Sequence, residues 1–312
     1  MTVTSPTPSY RALGATDLRV HPIGLDGSIF GWAAGQDDTD EVLDLYSAAG
    51  GNLISTADHY AGGRSEVMIG SWLRSRSARG QMIVATKVGR HPDHAGMHPR
   101  ALHDAVDGSL ERLRIERIDL VTLDGESADV AIEDSLGAMG ELVDEGKVRA
   151  IGVSGFGKKA LARVASAPES GLPEVHAFID EYSLLAREKY EKHTQRYAMK
   201  HGRGGLARLP LASGYLTGDF RRPEDFPTSG MFMQASSYAG KRGARVLAVL
   251  DEIAAELGQT PGKVAIAWVT SRPGIASAIA RARSASHVAE FLEASLLDLP
   301  REAIARLDRV SS

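Results

Sequence analysis

The feature that most constrains this chain is an alternation repeated along its length, in which short apolar runs are separated by amphipathic helical stretches. The sequence predicts strands over Arg19–Leu25, Asn52–Ser55, Met82–Lys87, Ile118–Leu123, Val148–Ser154, Ala177–Asp180, Gly205–Arg208 and Ile275–Ala278. Between them lie helix patterns such as Asp40–Ala48, Pro99–Leu113, Ile132–Glu145, Lys158–Ala165 and Arg187–His201. Regular strand–helix alternation implies parallel strands joined by right-handed crossovers. Eight such strands are the number that closes a (β/α)8 TIM barrel. An open doubly wound sheet shares the pattern, but no Gly-x-Gly-x-x-Gly follows the first strand.

The expected organisation is a flexible N-terminal tail over residues 1–9 and one barrel domain over residues 10–312. Residues 212–241 show no clear periodicity and carry Tyr215, Phe220, Phe226 and Tyr238. They read as a long loop over the barrel mouth, either a lid or a substrate wall. A hydrophobic content of 43% with 24% charged residues is that of a globular chain. A net charge of −4 gives no electrostatic reason to expect nucleic acid. The absence of cysteine excludes disulfides and thiolate chemistry. No apolar run reaches the length of a membrane span, and the start lacks a secretory pattern, so a cytoplasmic protein is expected. The expected partner is a small-molecule substrate, with no nucleic acid and no membrane, in a monomer or weak homo-oligomer.

Two segments carry the chemistry. Leu53-Ile54-Ser55-Thr56-Ala57-Asp58-His59-Tyr60 and Ile83-Val84-Ala85-Thr86-Lys87 each run from an apolar strand into a polar loop. Tyr60 and Lys87 therefore fall near two strand C-termini, the rim on which parallel barrels build their sites. A lysine beside a tyrosine hydroxyl stabilises the phenolate, so the expectation is a lowered tyrosine pKa and a usable acid or base. The run His91-Pro92-Asp93-His94 has metal-ligand residue types but no zinc-like spacing, so no metal is expected.

The ordered motifs resemble the aldo-keto reductase family over nearly the whole chain. They are Ser65-Glu66-x₃-Gly70, Ala85-Thr86-Lys87-Val88-Gly89, Ser109-Leu110-x-Arg112-Leu113, Gly146-Lys147-Val148-Arg149-Ala150-Ile151-Gly152-Val153-Ser154, Glu181-Tyr182-Ser183-Leu184-Leu185 and Pro210-Leu211-x₃-Tyr215-Leu216-Thr217-Gly218. The resemblance implies a (β/α)8 barrel with Tyr60 as proton donor and Lys87 as its activator. It also implies departures. The family's tetrad aspartate is Ser55 here, and its tetrad histidine is Asp124. Asp58, at a different offset from the tyrosine, does not replace the aspartate and is expected in the pocket.

At the nicotinamide end, the family's Ser-Asn pair is Ser154-Gly155, its glutamine is Ile179 and the asparagine beside it is Asp180. The ring-stacking aromatic corresponds to Arg208, and a Gly-Ala-Arg pattern has become Arg281-Ala282-Arg283. A glycine that lets backbone approach a phosphate cannot become arginine without changing that surface. These differences predict loss of the usual NADP(H) mode, so the preferred expectation is no cofactor. The alternative is NADP(H) held through Ser154, Leu211 and Arg283.

Three functions fit this sequence. The preferred one is cofactor-independent acid/base chemistry (dehydration, isomerisation or cyclisation of a small oxygenated metabolite) using Tyr60, Lys87 and Asp124. The others are a divergent NADP(H)-dependent reductase of a carbonyl or conjugated alkene, and a non-catalytic binding protein. Asp26 and Asp180 are the expected counter-charges of Arg208, since a guanidinium at a strand end must find a carboxylate; Lys87 is a second partner open to Asp26. Trp32 is expected to wall the substrate pocket, whereas Trp72 belongs to a helix face in the core.

Overall fold

In a computed structural model of the chain, residues 9–226 and 231–312 are described. Eight parallel strands close into a barrel: β1 Ile23–Asp26, β2 Leu53–Ala57, β3 Ile83–Val88, β4 Leu120–Asp124, β5 Ile151–Ser154, β6 Ala177–Glu181, β7 Gly204–Arg208 and β8 Ile275–Ala280. Neighbours follow chain order, and β8 closes the ring by pairing Ala280 with Leu25 of β1. The helices between strands cover the outside; Trp72, on the helix Arg64–Ser75, is buried there as expected.

The expected first strand, Arg19–Leu25, is two elements. Arg19–Val20 pairs antiparallel with Arg11–Ala12, and only Ile23–Asp26 enters the barrel. Pro22 stands between them, with no N–H to continue a ladder, and its carbonyl accepts from Ala278 N–H at 2.8 Å. Leu13, Leu18 and Val20 of this hairpin bury against Leu53, Leu120, Ala177 and Leu206, which closes the barrel floor.

Side-chain parity then decides what faces the mouth, because successive residues of a strand point to opposite faces. Leu53, Ile83, Ala85, Leu120, Ile179, Leu206 and Ile279 fill the barrel interior. Counting onward in twos puts Ser55, Lys87, Asp124, Glu181, Arg208 and Arg281 on the same inner side. On β1, Ile23 and Leu25 pack outward with the helices, so Asp26 faces inward. The apolar floor thus gives way at the top to a ring of charged and polar groups.

The stretch 212–241 is more regular than its sequence indicates. It contains three 3₁₀ segments, Ala212–Thr217, Pro223–Asp225 and Met231–Tyr238. The tail expected over residues 1–9 lies outside the described residues except for Ser9. No helix among the described residues is long and apolar enough to cross a membrane.

Candidate active site

A cavity of about 1050 Å³ opens at the C-terminal ends of the strands, with Tyr60, Lys87, Asp124, Arg208 and Arg281 in its wall. Lys87, on the last inward position of β3, is 2% exposed and donates from Nζ to Tyr60 Oη at 2.5 Å. Tyr60 is brought there by the turn after β2, where its backbone N–H bonds Ala57 O.

Burial dominates the proton affinities of both groups. The Tyr60 hydroxyl is pushed above its ordinary value, first by desolvation and then by the negative charges of Asp26 and Asp124. The expected lowering of the tyrosine pKa is therefore not found: the cost of an unsolvated phenolate outweighs the favourable cations nearby. Lys87 moves the other way, down to about 8, because desolvation disfavours its ammonium more than Asp124 supports it. Tyr60 is consequently protonated near neutrality and suited to donate, while Lys87 sits close to the pH at which it exchanges its proton.

Asp124 ends β4 with its Oδ2 3.7 Å from Lys87 Nζ and 3.3 Å from Arg90 Nε. Placed between two cations, it serves as their counter-ion.

Asp26 does not pair with Arg208 or Lys87. Its Oδ2 lies 3.2 Å from Arg281 Nε, and that nitrogen also donates to Ser28 Oγ at 3.0 Å. Both side chains are buried, at 4% and 10% exposure. Asp180 does not pair with Arg208 either. The register sets Asp180 opposite Ala207 and Glu181 opposite Arg208, so Asp180 lines the cavity as expected but is offset by one residue from the guanidinium. Its carboxylate accepts from Thr194 Oγ1 at 2.5 Å and Gly155 N at 2.9 Å. Burial raises the Asp180 pKa against these bonds.

The Arg208 guanidinium forms no hydrogen bond or ion pair among the described residues, although the residue's backbone carbonyl accepts from Tyr182 N–H at 2.9 Å. Burial opposes its charge, but Tyr60, Asp26, Asp124 and Glu181 outweigh burial and hold its pKa above the ordinary guanidinium value.

Three expected pocket residues do not line the cavity: Asp26, enclosed with Arg281, and Trp32 and Asp58. Trp32 is 65% exposed and does not line the cavity, because Gly31 turns the chain outward at φ +75°. Asp58 is fully buried behind the wall, where Oδ2 accepts from Gly89 N at 3.0 Å and Oδ1 faces His59 Nδ1 at 3.1 Å. His59 itself lines the cavity, its ring 4.9 Å from that of Tyr60. Sequence reasoning passed over His59, although the adjacent Asp58 was a usable signal of an oriented imidazole. It also missed Arg90, and it treated Arg281 only as a lost glycine.

Ser154 lines the large cavity. Leu211 and Arg283 line a second one of about 390 Å³, together with Ser213 and His287. Arg281 borders both cavities.

The barrel and its mouth agree with what sequence comparison finds. The model of the aldo/keto reductase family matches residues 23–312, and the chain belongs to that family. An aldo-keto reductase, str7, of Strobilurus tenacellus is 29% identical over 304 residues, covering 96% of this chain and 88% of its own. Probable voltage-gated potassium channel subunits beta from Oryza sativa subsp. japonica and from Arabidopsis thaliana are each 27% identical over 297 residues, covering 91% of this chain and 90% of theirs.

Proposed function

We propose that this barrel is an acid–base enzyme, acting on a small oxygenated molecule by proton transfer from Tyr60 and without a nicotinamide ring in the family's usual position. The observation that carries this reading is the 2.5 Å contact between the buried Lys87 Nζ and the half-buried Tyr60 Oη.

Tyr60 gives its hydroxyl proton to a substrate oxygen, and the phenolate that forms takes a proton from the Lys87 ammonium. Asp124 keeps a negative charge 3.7 Å from that nitrogen, and the open cavity supplies solvent to reprotonate it. His59, oriented through Nδ1 by Asp58, is the group available to accept a proton from substrate carbon or water. Asp26 is occupied by Arg281, which leaves His59 the better base. Elimination, isomerisation and ring closure all need this acid and base on one substrate.

The family's NADP(H) is tested by the groups at its nicotinamide end. Arg208 takes the place of the stacking aromatic there and presents a cation to a ring that is itself cationic when oxidised. The carboxamide has lost two partners, since Gly155 has no side chain and Ile179 is apolar. Asp180 turns to Thr194 and Gly155 instead. These residues do not fit the ring in the family's usual pose.

A second reading keeps the family's chemistry, with NADP(H) reducing a carbonyl or conjugated alkene. It is favoured by the open cavity of about 390 Å³ beside Leu211 and Arg283. The two are separated by incubating the protein in D₂O with a panel of small oxo- and hydroxy-acids, with and without NADPH, and following products by NMR. Deuterium exchange or turnover without dinucleotide, lost in Tyr60→Phe, supports the proposal. Turnover that appears only with NADPH overturns it in favour of the reductase.

A further inference from the structure

We infer that Arg208 and Arg281 form an oxyanion-binding site that holds a carboxylate or phosphate group of the substrate beside Tyr60. The inference rests on the preceding reading for the substrate's chemistry, but not for the binding itself.

The two arginines end neighbouring strands. Arg208 pairs in register with Ile279, and Arg281 follows two residues later on the same inward side. Both bear electrostatically on Tyr60 and on Tyr238, which places them around one volume. That volume belongs to the cavity whose wall includes both guanidinia.

Neither arginine is satisfied by protein. Arg281 spends Nε on Asp26 and Ser28, and its Nη1 is buried with no hydrogen-bond partner among the described residues. Its side chain is nine-tenths buried, so water cannot freely solvate that nitrogen. The half-buried Arg208 guanidinium has no hydrogen-bond or ion-pair partner among the described residues. A guanidinium presents its N–H groups in a fixed planar fork, and two of them around one cavity suit an oxyanion better than any neutral group.

The mouth carries charges of both signs, and the carboxylates are already engaged. Lys87, Arg90, Arg208 and Arg281 are cationic at the mouth, and Asp26 and Asp124 are their paired carboxylates. Glu181, opposite Arg208 in register, is engaged by the Tyr238 hydroxyl. The excess at the mouth is therefore of unpartnered N–H donors on Arg208 and Arg281, which an anionic ligand satisfies where a buried unpaired polar group is costly. Such a ligand would be anchored at one end by the arginines, leaving its oxygenated end to Tyr60.

The test is isothermal titration calorimetry of the full chain with sodium oxalate and, separately, with inorganic phosphate, at an ionic strength fixed by sodium chloride. Wild type should bind at least one of them saturably. Arg208→Gln should weaken that binding about tenfold or more, as expected for loss of a charge-assisted contact. Because the Arg208 guanidinium holds no protein partner, this variant keeps its fold, checked by circular dichroism; Arg281→Gln serves as the second variant. Tighter oxalate binding indicates a carboxylic acid substrate, and tighter phosphate binding a phosphorylated one. Tyr60→Phe should bind the same anion unchanged, so retained turnover in Tyr60→Phe would count against the proposed chemistry and not against this site. No saturable binding of either anion, or binding unchanged in Arg208→Gln, overturns the inference.

Discussion

Lys87 Nζ, buried at the cavity wall, stands 2.5 Å from the half-buried Tyr60 Oη. Two strands and a turn are needed to make that contact. β2 and β3 pair in register from Leu53–Ile83 to Ala57–Lys87, and the chain after Ala57 then folds Tyr60 back over the lysine. Tyr60, on the turn after β2, and Lys87, on β3, thus meet at the C-terminal rim, where parallel barrels generally place their chemistry.

The pair should act as one unit. Tyr60→Phe removes the donated proton and should lower turnover by about 10²- to 10⁴-fold, with the circular dichroism spectrum unchanged. Lys87→Met should fall in the same direction, and the double variant should lose little more than either single one. Independent, multiplying losses would show that the two residues do not share a proton.

Lys87 also imposes a pH dependence on stability. Its pKa in the folded chain is about 8, below the ordinary 10.5, so the unfolded chain binds more protons between those values. Stability therefore rises as pH increases through this window, and the contribution is lost as pH falls back through about 8. The difference corresponds to about 3 kcal/mol. Urea unfolding at pH 7.5 and pH 10, compared between wild type and Lys87→Met, measures it, and the variant should show a flatter profile. An identical rise in both would mean that the lysine is not desolvated as the geometry requires.

Asp26 and Arg281 form a buried pair whose members should not be separable. Asp26→Asn leaves a guanidinium without its carboxylate and should cost about 3 kcal/mol. Removing both charges, with Arg281→Gln added, should cost less than the sum of the two single substitutions, since the pair is in direct contact. Strict additivity would argue that the ion pair is not formed in solution.

His59 should matter through Asp58. His59→Asn should reduce turnover if the imidazole is the base, whereas Asp58→Asn should do so more mildly, by loosening the ring. Asp58→Asn should also destabilise the fold, because Asp58 Oδ2 ties down Gly89 N–H. Unchanged turnover in His59→Asn assigns the base elsewhere in the cavity.

Much of this architecture was legible in the sequence because barrel strands are buried on both faces and announce themselves as apolar runs. The exception, Arg19–Leu25, failed where an apolar run concealed Pro22 and a change from hairpin to barrel. Tyr60 and Lys87 were legible because local motifs carry them. The partners of the charged residues were not. Asp26 and Arg281 are far apart in the chain and become neighbours only when β8 closes on β1. Arg208 lies one strand further away, so the nearer Arg281 takes the carboxylate. Asp180 was excluded by a one-residue register that sequence spacing does not reveal. The proton affinity of Tyr60 was misjudged for a related reason. A lysine neighbour can be read from motifs, whereas the depth of burial that opposes ionisation belongs to the folded cavity.

NADPH binding tests most directly the proposed proton transfer without a nicotinamide ring in the family's usual pose. Fluorescence titration of the wild-type chain should show no saturable binding of NADPH in the micromolar range. Arg208→Tyr with Arg281→Gly restores the family's residue types at those two positions, and Asp26→Gly removes the carboxylate this would leave unpaired; the triple variant should bind NADPH more tightly than wild type. Tight, stoichiometric binding by the wild type, with oxidation of the bound NADPH on adding a carbonyl substrate, would contradict the account and make this chain a reductase.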